Sequence, residues 1–323
     1  MDWLSHLLDI MPVSGRLEIR CVYGAPWRVT YEQSSPGEMP YHVILSGSAI
    51  LEDGNVREPL YAGDIVMLSH GSAHVLHDGS GVAPAPARHR DTSNIVVSEN
   101  RGKGERLDML CGRFVVAPQH DRLVRSYLPG ALIVRAGTRG GTQGESAEGS
   151  DVSQPSETAA KVIDLVGLMR SESGADSLGG LAMLNSLSAA LFALALRLAS
   201  EAEAAPVGLL ALAGHPRLAP ALTAMFDNPA HPWTLPELAQ RCNMSRATLA
   251  RHFAEKVGKS ANELLTDIRM TLAASELRKP SVSTDAVADL VGYQSVAAFR
   301  RAFKDRMGVT PAEWRRGGAA AES

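Results

Sequence analysis

The sequence predicts an α+β multidomain chain: a β-rich N-terminal part, a helical connector, and an all-α C-terminal domain. Three observations carry this prediction. From Arg16 to about Ile133, apolar residues fall in short β-type runs punctuated by Gly and Pro, as in a sandwich or barrel. Gly, Ser, Thr and Glu then dominate residues 137–157, which reads as a flexible linker. Finally, the stretch Thr234 to Arg316 contains one helical pattern twice.

A chain of 323 residues is long enough for two domains with separate cores. Hydrophobic residues at 45% and charged residues at 21% are those of an ordinary soluble protein. The net charge of −3 hides an asymmetry. Residues 217–316 hold 15 Lys and Arg against 10 Asp and Glu, while the remainder holds 17 against 25. A basic module on an acidic body suits a nucleic-acid contact made by one end only. Three widely spaced cysteines, Cys21, Cys111 and Cys242, make no disulfide framework, so a reducing, cytoplasmic setting is expected.

In chain order, residues 1–11 read as a short amphipathic helix, and nothing there resembles a signal peptide. Strands are expected in Arg16–Tyr23, Trp27–Tyr31, Tyr41–Leu45, Ser48–Leu51, Asp64–Leu68, Asn94–Val97 and Asp108–Val116. The Pro-rich segment Val82 to Arg106 reads as an exposed loop or long hairpin with some disorder. Helices follow at Ala159–Ser171, Leu178–Glu201, near Val207–Ala213 and at Arg217–Met225. Ser177 to Leu196 carries no charge over twenty positions, long enough for a membrane span. Its polar interruptions and one-sided Leu stripe point instead to a buried packing or dimerisation helix.

In the repeat, Ser245, Leu249, Phe253 and Gly258 align with Ser295, Phe299, Phe303 and Gly308 at an offset of fifty residues. Before the turn the offset is forty-nine, so the second copy has one extra turn residue around Gly292-Tyr293-Gln294. Each copy reads as a helix-turn-helix: a short helix ends at Asn243 or Gly292, and a Ser caps the next. Apolar residues at i and i+4 make the buried stripe of that second helix. Its opposite face carries Arg246, Arg251 and His252 in one copy, and Arg300, Arg301 and Lys304 in the other. With Ser245, Thr248, Gln294 and Ser295 at the turn and helix starts, these are the candidate DNA contacts. Ala261 to Lys279, stopped by Pro280, is a linker helix that would fix the spacing of the two units.

These residues resemble the AraC-type transcription regulators, whose C-terminal domain joins two helix-turn-helix units by a linker helix. The run Val287-Ala288 through Gly292-Tyr293, Phe299, Phe303, Gly308, Thr310-Pro311 and Trp314 carries the resemblance. Ala297-Ala298 stand where a Ser-aromatic pair is common. The resemblance implies double-stranded promoter DNA as partner, a homodimer, RNA polymerase as a candidate partner, and no membrane. Upstream, Tyr41-His42 to Leu51 and Ala62-Gly63-Asp64 to His74 resemble the two halves of a cupin barrel, with His70 where Pro is usual. The implied organisation is a cupin-like sensor domain over 1–136, the linker 137–157, and a helical connector or dimerisation segment over 158–214. An AraC-type DNA-binding domain over 215–316 and a disordered tail over 317–323 complete it.

The β-rich domain also gathers Cys21, His42, His70, His74, His77 and Cys111. Cys21, His42, His74 and Cys111 are a candidate metal site, with zinc the candidate cofactor, since zinc prefers imidazole and thiolate. Cys21 and Cys111 alone are a candidate sensing thiol pair. The third reading is structural: hydrogen-bonded interior histidines beside a small buried thiol. Cys242, in the first turn, is expected to be structural. Position 44 is Ile, so the cupin His-x-His pair with its following Glu is incomplete. That weighs against the alternative of a cupin-type metalloenzyme fused to a DNA-binding domain. A third possibility to separate is a constitutive DNA-binding protein whose barrel only dimerises.

Overall fold

A computed structural model describes residues 2–54, 56–136 and 156–320. The expected linker 137–157 therefore lies, up to residue 155, outside the described residues. The strands are β1 (Val13–Gly24), β2 (Arg28–Tyr31), β3 (Glu38–Ser46), β4 (Ser48–Asp53), β5 (Val56–Tyr61) and β6 (Asp64–Leu68). There follow β7 (His74–His77), β8 (Ala87–Asp91), β9 (Val96–Asn100), β10 (Arg106–Val116) and β11 (Ala131–Arg135). The helices are α1 (Trp3–Ile10), α2 (Asp121–Tyr127), α3 (Glu157–Ser173), α4 (Gly180–Glu201), α5 (Leu209–Ala213) and α6 (Ala219–Asp227). The C-terminal region adds α7 (Leu235–Arg241), α8 (Arg246–Val257), α9 (Ala261–Glu276), α10 (Thr284–Leu290), α11 (Val296–Met307) and α12 (Pro311–Ala320).

The chain forms two compact units. One comprises Val13–Val116 and Pro129–Glu201. It holds a seven-stranded sheet, ordered β11-β6-β3-β10-β1-β9-β8, and a four-stranded sheet, ordered β2-β7-β4-β5. Side chains of both sheets fill one core: Cys21, Ile44, Val66, Met109 and Cys111 from the larger, and Ala49, Leu51, Leu60 and Leu76 from the smaller. Burial runs unbroken from Met39 to Ile44 on β3, because this strand is covered on both faces. Helix α4 supplies the outer cover. Tyr41 and Ser188 hydroxyls bond at 2.5 Å, and the Phe114 and Phe192 rings meet edge-on at 5.1 Å. Gly15 lets the helix close in, since a Cβ there would lie 2.3 Å from Ser188 Cβ.

Helix α4 is long and apolar enough to cross a membrane by length and composition. Its Leu184, Leu191, Phe192 and Leu196 are nevertheless buried within this unit, leaving Leu181 and Met183 exposed. Part of the stripe assigned to dimerisation thus has an intramolecular partner. The loop or hairpin expected over Val82 to Arg106 contains the antiparallel β8–β9 pair at the edge of the larger sheet. Every residue of β8 is exposed. Its Arg, His and Asp residues suit an edge strand and give no alternating pattern to read.

The other unit comprises Met1–Pro12, Ala117–Leu128 and Ala202–Ser323. These boundaries differ from the expected ones, and residues 202–214 with α5, placed in the connector by sequence, also fall in this unit. Residues up to Pro12 and the α2 segment, both placed in the sensor domain by sequence, pack with the C-terminal helices. Helices α3 and α4, placed in the connector, pack with the sheets. Local chemistry explains these last two. Asp2 caps α1, whose His6 Nε2 is 2.9 Å from Asp227 Oδ1 on α6. Arg20 Nη1 bonds Ser173 Oγ on α3 at 3.3 Å, while its Nε and Nη2 grip Asp108 at 2.9 and 2.8 Å. Helix α12 extends to Ala320, through the start of the expected disordered tail; residues 321–323 lie outside the described residues.

Candidate functional site

The repeat folds twice into the same local structure. Helix α7 is capped by Thr234 and α8 by Ser245, whose Oγ accepts from Thr248 N at 3.1 Å. Helix α10 is capped by Ser283 and α11 by Ser295, whose Oγ accepts from Ala298 N at 3.4 Å. Between C-cap Cys242 and N-cap Ser245 lie two residues, and between Val291 and Ser295 three, which is the extra turn residue read from the spacing. Asn243 (φ 50°) and Gly292 (φ 79°) make the left-handed reversals. Leu249 with Phe253, and Phe299 with Phe303, are buried. Both long helices end at a left-handed glycine, Gly258 or Gly308.

Burial of these stripes turns the candidate DNA contacts outward. Ser245, Arg246, Arg251, Gln294, Ser295, Arg300, Arg301 and Lys304 are exposed. Thr248 is half-buried, with its hydroxyl 2.9 Å from that of Ser245, and belongs to the cap. His252 is also half-buried, its ring 5.5 Å from that of His215. Arg251 Nε lies 3.8 Å from Glu255 on the next turn. Cys242 is buried against the first copy, with its thiol pushed up by that burial.

In the sheet unit, Cys111 pairs across strands with Ile19 on one side and His42 on the other. Cys21 is paired with Met109, so the two cysteines are diagonal neighbours on β1 and β10. The adjoining Cys111 thiol pulls Cys21 below the ordinary thiol range, while burial pushes Cys111 well above it. Tyr31 Oη donates to Cys111 Sγ at 3.5 Å. The same ring stacks on His74 at 4.6 Å and lies 4.7 Å from His42. His42 Nε2 and His74 Nε2 are 2.8 Å apart, one donating and the other accepting. Burial lowers the basicity of both imidazoles, that of His42 well below the usual value. His74 Nδ1 bonds the Ser72 carbonyl at 2.9 Å.

The structure therefore brings Cys21, His42, His74 and Cys111 into one neighbourhood, linked by Tyr31, which the sequence reading took only as a strand residue. It does not arrange them as the expected zinc cage. The two Nε2 atoms bond each other, and among the described residues no group of three or more His, Cys, Asp or Glu could hold a metal ion. His77 lies apart, its Nε2 3.2 Å from Glu52 Oε1, and Gly130 sits beside the His70 ring. A cavity of about 270 Å³ opens beside the cluster, lined by Tyr31, His42 and Cys111 together with Glu18, Glu38 and Arg113. Arg113 lies 3.5 Å from Glu18 and 3.4 Å from Glu38.

Two sheets around one core, followed by two capped helix-turn-helix units on a linker helix, define a DNA-binding transcription regulator. A cupin family model matches residues 2–148, and a helix-turn-helix domain model matches residues 238–317. The chain belongs to the AraC-type regulators with a cupin N-terminal domain. Full-length relatives agree. An HTH-type transcriptional regulator of Haemophilus influenzae is 26% identical over 98% of this chain and 99% of its own. The HTH-type regulator MtrA of Neisseria gonorrhoeae is 28% identical, over 98% and 99%. The activator RclR of Escherichia coli, named as RCS-specific, is 26% identical over 98% and 97%.

Proposed function

We propose that this chain is a cytoplasmic, sequence-specific regulator without enzymatic activity, and that its cupin domain senses an oxidant through Cys21 and Cys111. The observation that carries the reading is the thiol pair itself: diagonal neighbours on β1 and β10, with Cys21 drawn below the ordinary thiol range by Cys111, and Cys111 on the wall of a cavity. The chemistry balances with one hydroperoxide. One thiol takes an oxygen from ROOH and releases ROH; the other then attacks that sulfenic sulfur, forming the S–S bond as the S–O bond breaks and the oxygen leaves as water. Closing the bond pulls β1 against β10. Arg20 adjoins Cys21 on β1 and Asp108 lies three residues before Cys111 on β10, so their clamp on α3 would feel that shift.

The regulator is read as a homodimer on promoter DNA, with the exposed Leu181 and Met183 side of α4 at the subunit contact and RNA polymerase as a further partner. A mobility shift on DNA flanking the chain's own gene tests the whole reading. Peroxide should change wild-type affinity, thiol reductant should reverse it, and Cys21→Ser or Cys111→Ser should abolish the response. An unaltered response in both variants overturns the thiol assignment. The cavity supports one second reading, a small polar effector held by Glu18, Glu38 and Arg113. Arg113→Ala would then abolish regulation while both cysteine variants retained it. Arg246→Ala and Arg300→Ala test the reading face, which is wrong if neither weakens binding.

A further inference from the structure

Asp267 marks the point where the linker helix departs from its own repeat. At the fifty-residue offset, Ser260 and Glu263 at the start of α9 correspond to Thr310 and Glu313 at the start of α12. Each pair closes the same reciprocal cap. Asp267 corresponds to Gly317. Its carboxylate is only 4% exposed and gathers groups from several segments. Arg306 Nη1 donates to Oδ1 at 3.0 Å, and Lys259 Nζ lies 3.5 Å from Oδ2. Tyr127 Oη donates to Oδ2 at 2.6 Å, and Arg122 Nε is 3.9 Å from Oδ1.

The origin of these partners matters more than their number. Lys259 follows Gly258, which ends α8, and Arg306 sits in the last turn of α11. One carboxylate thus fastens the tails of both groove-facing helices to the helix between them. Two residues on, Arg269 makes the opposite tie. It donates to the carbonyls of Pro229 and His231 ahead of the first copy, at 2.6 and 2.9 Å. Its guanidinium also lies 5.8 Å over the Tyr293 ring in the second turn. Tyr127 and Arg122 come from α2, which the chain inserts between β10 and β11. Arg122 also donates to the Arg306 carbonyl, and Lys259 Nζ sits 4.5 Å over the Tyr127 ring.

A buried ionic cluster contributes little net stability against a well-packed apolar alternative, so stability alone is a weak reason for it. Two helices reading one duplex, however, must keep a set separation, because moving a half-site by one base pair displaces and rotates it. Binding groups tolerate only about 0.5 Å of misplacement.

We propose that Asp267 is a positioning residue for two-site DNA recognition. It holds α8 and α11 at one spacing, and Tyr127 ties that spacing to the α2 segment. The proposal rests on the DNA-binding reading, and the test separates the two. The full wild-type chain selects a duplex from a random pool, and derivatives then carry one extra base pair between the two boxes, or one box only. Wild type should bind the spaced duplex about tenfold or more weaker than the parent. Asp267→Asn should bring that ratio near one, with one-box affinity unchanged. The ratio cancels any effect of altered total charge. Tyr127→Phe, which removes a single hydroxyl, should loosen the ratio in the same direction, with folding checked by thermal melting.

Equal losses on all three duplexes would reduce Asp267 to a structural ion partner and overturn the proposal. So would wild-type spacing discrimination in Asp267→Asn. If that variant does not fold, wild-type discrimination in Tyr127→Phe has the same consequence. If wild type selects no duplex, the DNA-binding reading itself fails first.

Discussion

The two helix-turn-helix copies share their caps, stripes and terminal glycines, and differ at the turn and on the exposed face. At Asn243 the left-handed turn residue is an exposed asparagine. At Gly292 a Cβ would lie 2.1 Å from the Ala230 carbonyl, so only glycine fits. On the faces, Arg251 and Glu255 of the first copy recur as Arg301 and Asp305, whereas α11 sets Arg300 and Lys304 where α8 has Ala250 and Ala254. What holds a helix-turn-helix together is repeated. What meets the surroundings, whether the first copy's loop or the duplex, has diverged.

The largest test concerns the shared part. Phe253→Ala and Phe303→Ala each remove a fully buried ring and should each cost about 3–5 kcal/mol. Denaturant melts of the full chain check this, and a cost in one copy only would break the symmetry. The turns come next. Gly292→Ala should destabilise by more than about 2 kcal/mol, since left-handed strain of about 1–2 kcal/mol adds to the clash with Ala230. Asn243→Gly should change stability by less than about 0.5 kcal/mol.

The repeat was legible because its signals are local. Serine caps, the i,i+4 aromatic stripe and the turn residues each act within a few positions, so an offset of fifty exposes them. The sheets were legible in outline; β5 and β7, short strands of the smaller sheet, were missed because their residues give little alternation. Convergence of Cys21 with Cys111, and of His42 with His74, could be guessed from composition. Tyr31 as the link could not, since that contact depends on β2 pairing with β7. Helix α2 escaped because its seven residues form a helix through packing with α9. Asp267 did leave a trace: it stands three residues after Leu264 and four before Thr271, on the buried side of α9. A carboxylate on an apolar stripe signals a buried partner.

The faces give a smaller effect than the core. Arg301→Ala should lose about 1–3 kcal/mol of discrimination if it reads a base, or reduce the salt slope by about one if it holds a phosphate. Arg251→Ala, at the matching position, should lose less, because its Nε lies 3.8 Å from Glu255, whereas among the described residues Arg301 makes no such contact with Asp305. Affinity measured across a salt series separates base from phosphate contact. Equal losses would show that the Glu255 contact dissolves on DNA.

The smallest difference lies in the first helix of each copy. Thr234 and Glu237 close a reciprocal box on α7: Glu237 Oε2 accepts from Thr234 N and Oγ1, each at 2.8 Å. In the second copy Ser283 caps α10 alone, because the third position is Ala286. Ser283→Ala should cost about 1 kcal/mol, and Thr234→Ala somewhat more, since it loses the cap and the grip on Glu237 together. Acidity provides the discriminating measurement. Bonds from Thr234 hold the Glu237 carboxyl below its ordinary value of 4.5. Its stabilisation is therefore complete above that value and is lost as pH falls through the lowered folded value. The excess cost of Thr234→Ala over Ser283→Ala should shrink across that window in thermal melts. An excess that stays constant from neutral pH to below the window would mean the carboxylate contributes nothing to the cap.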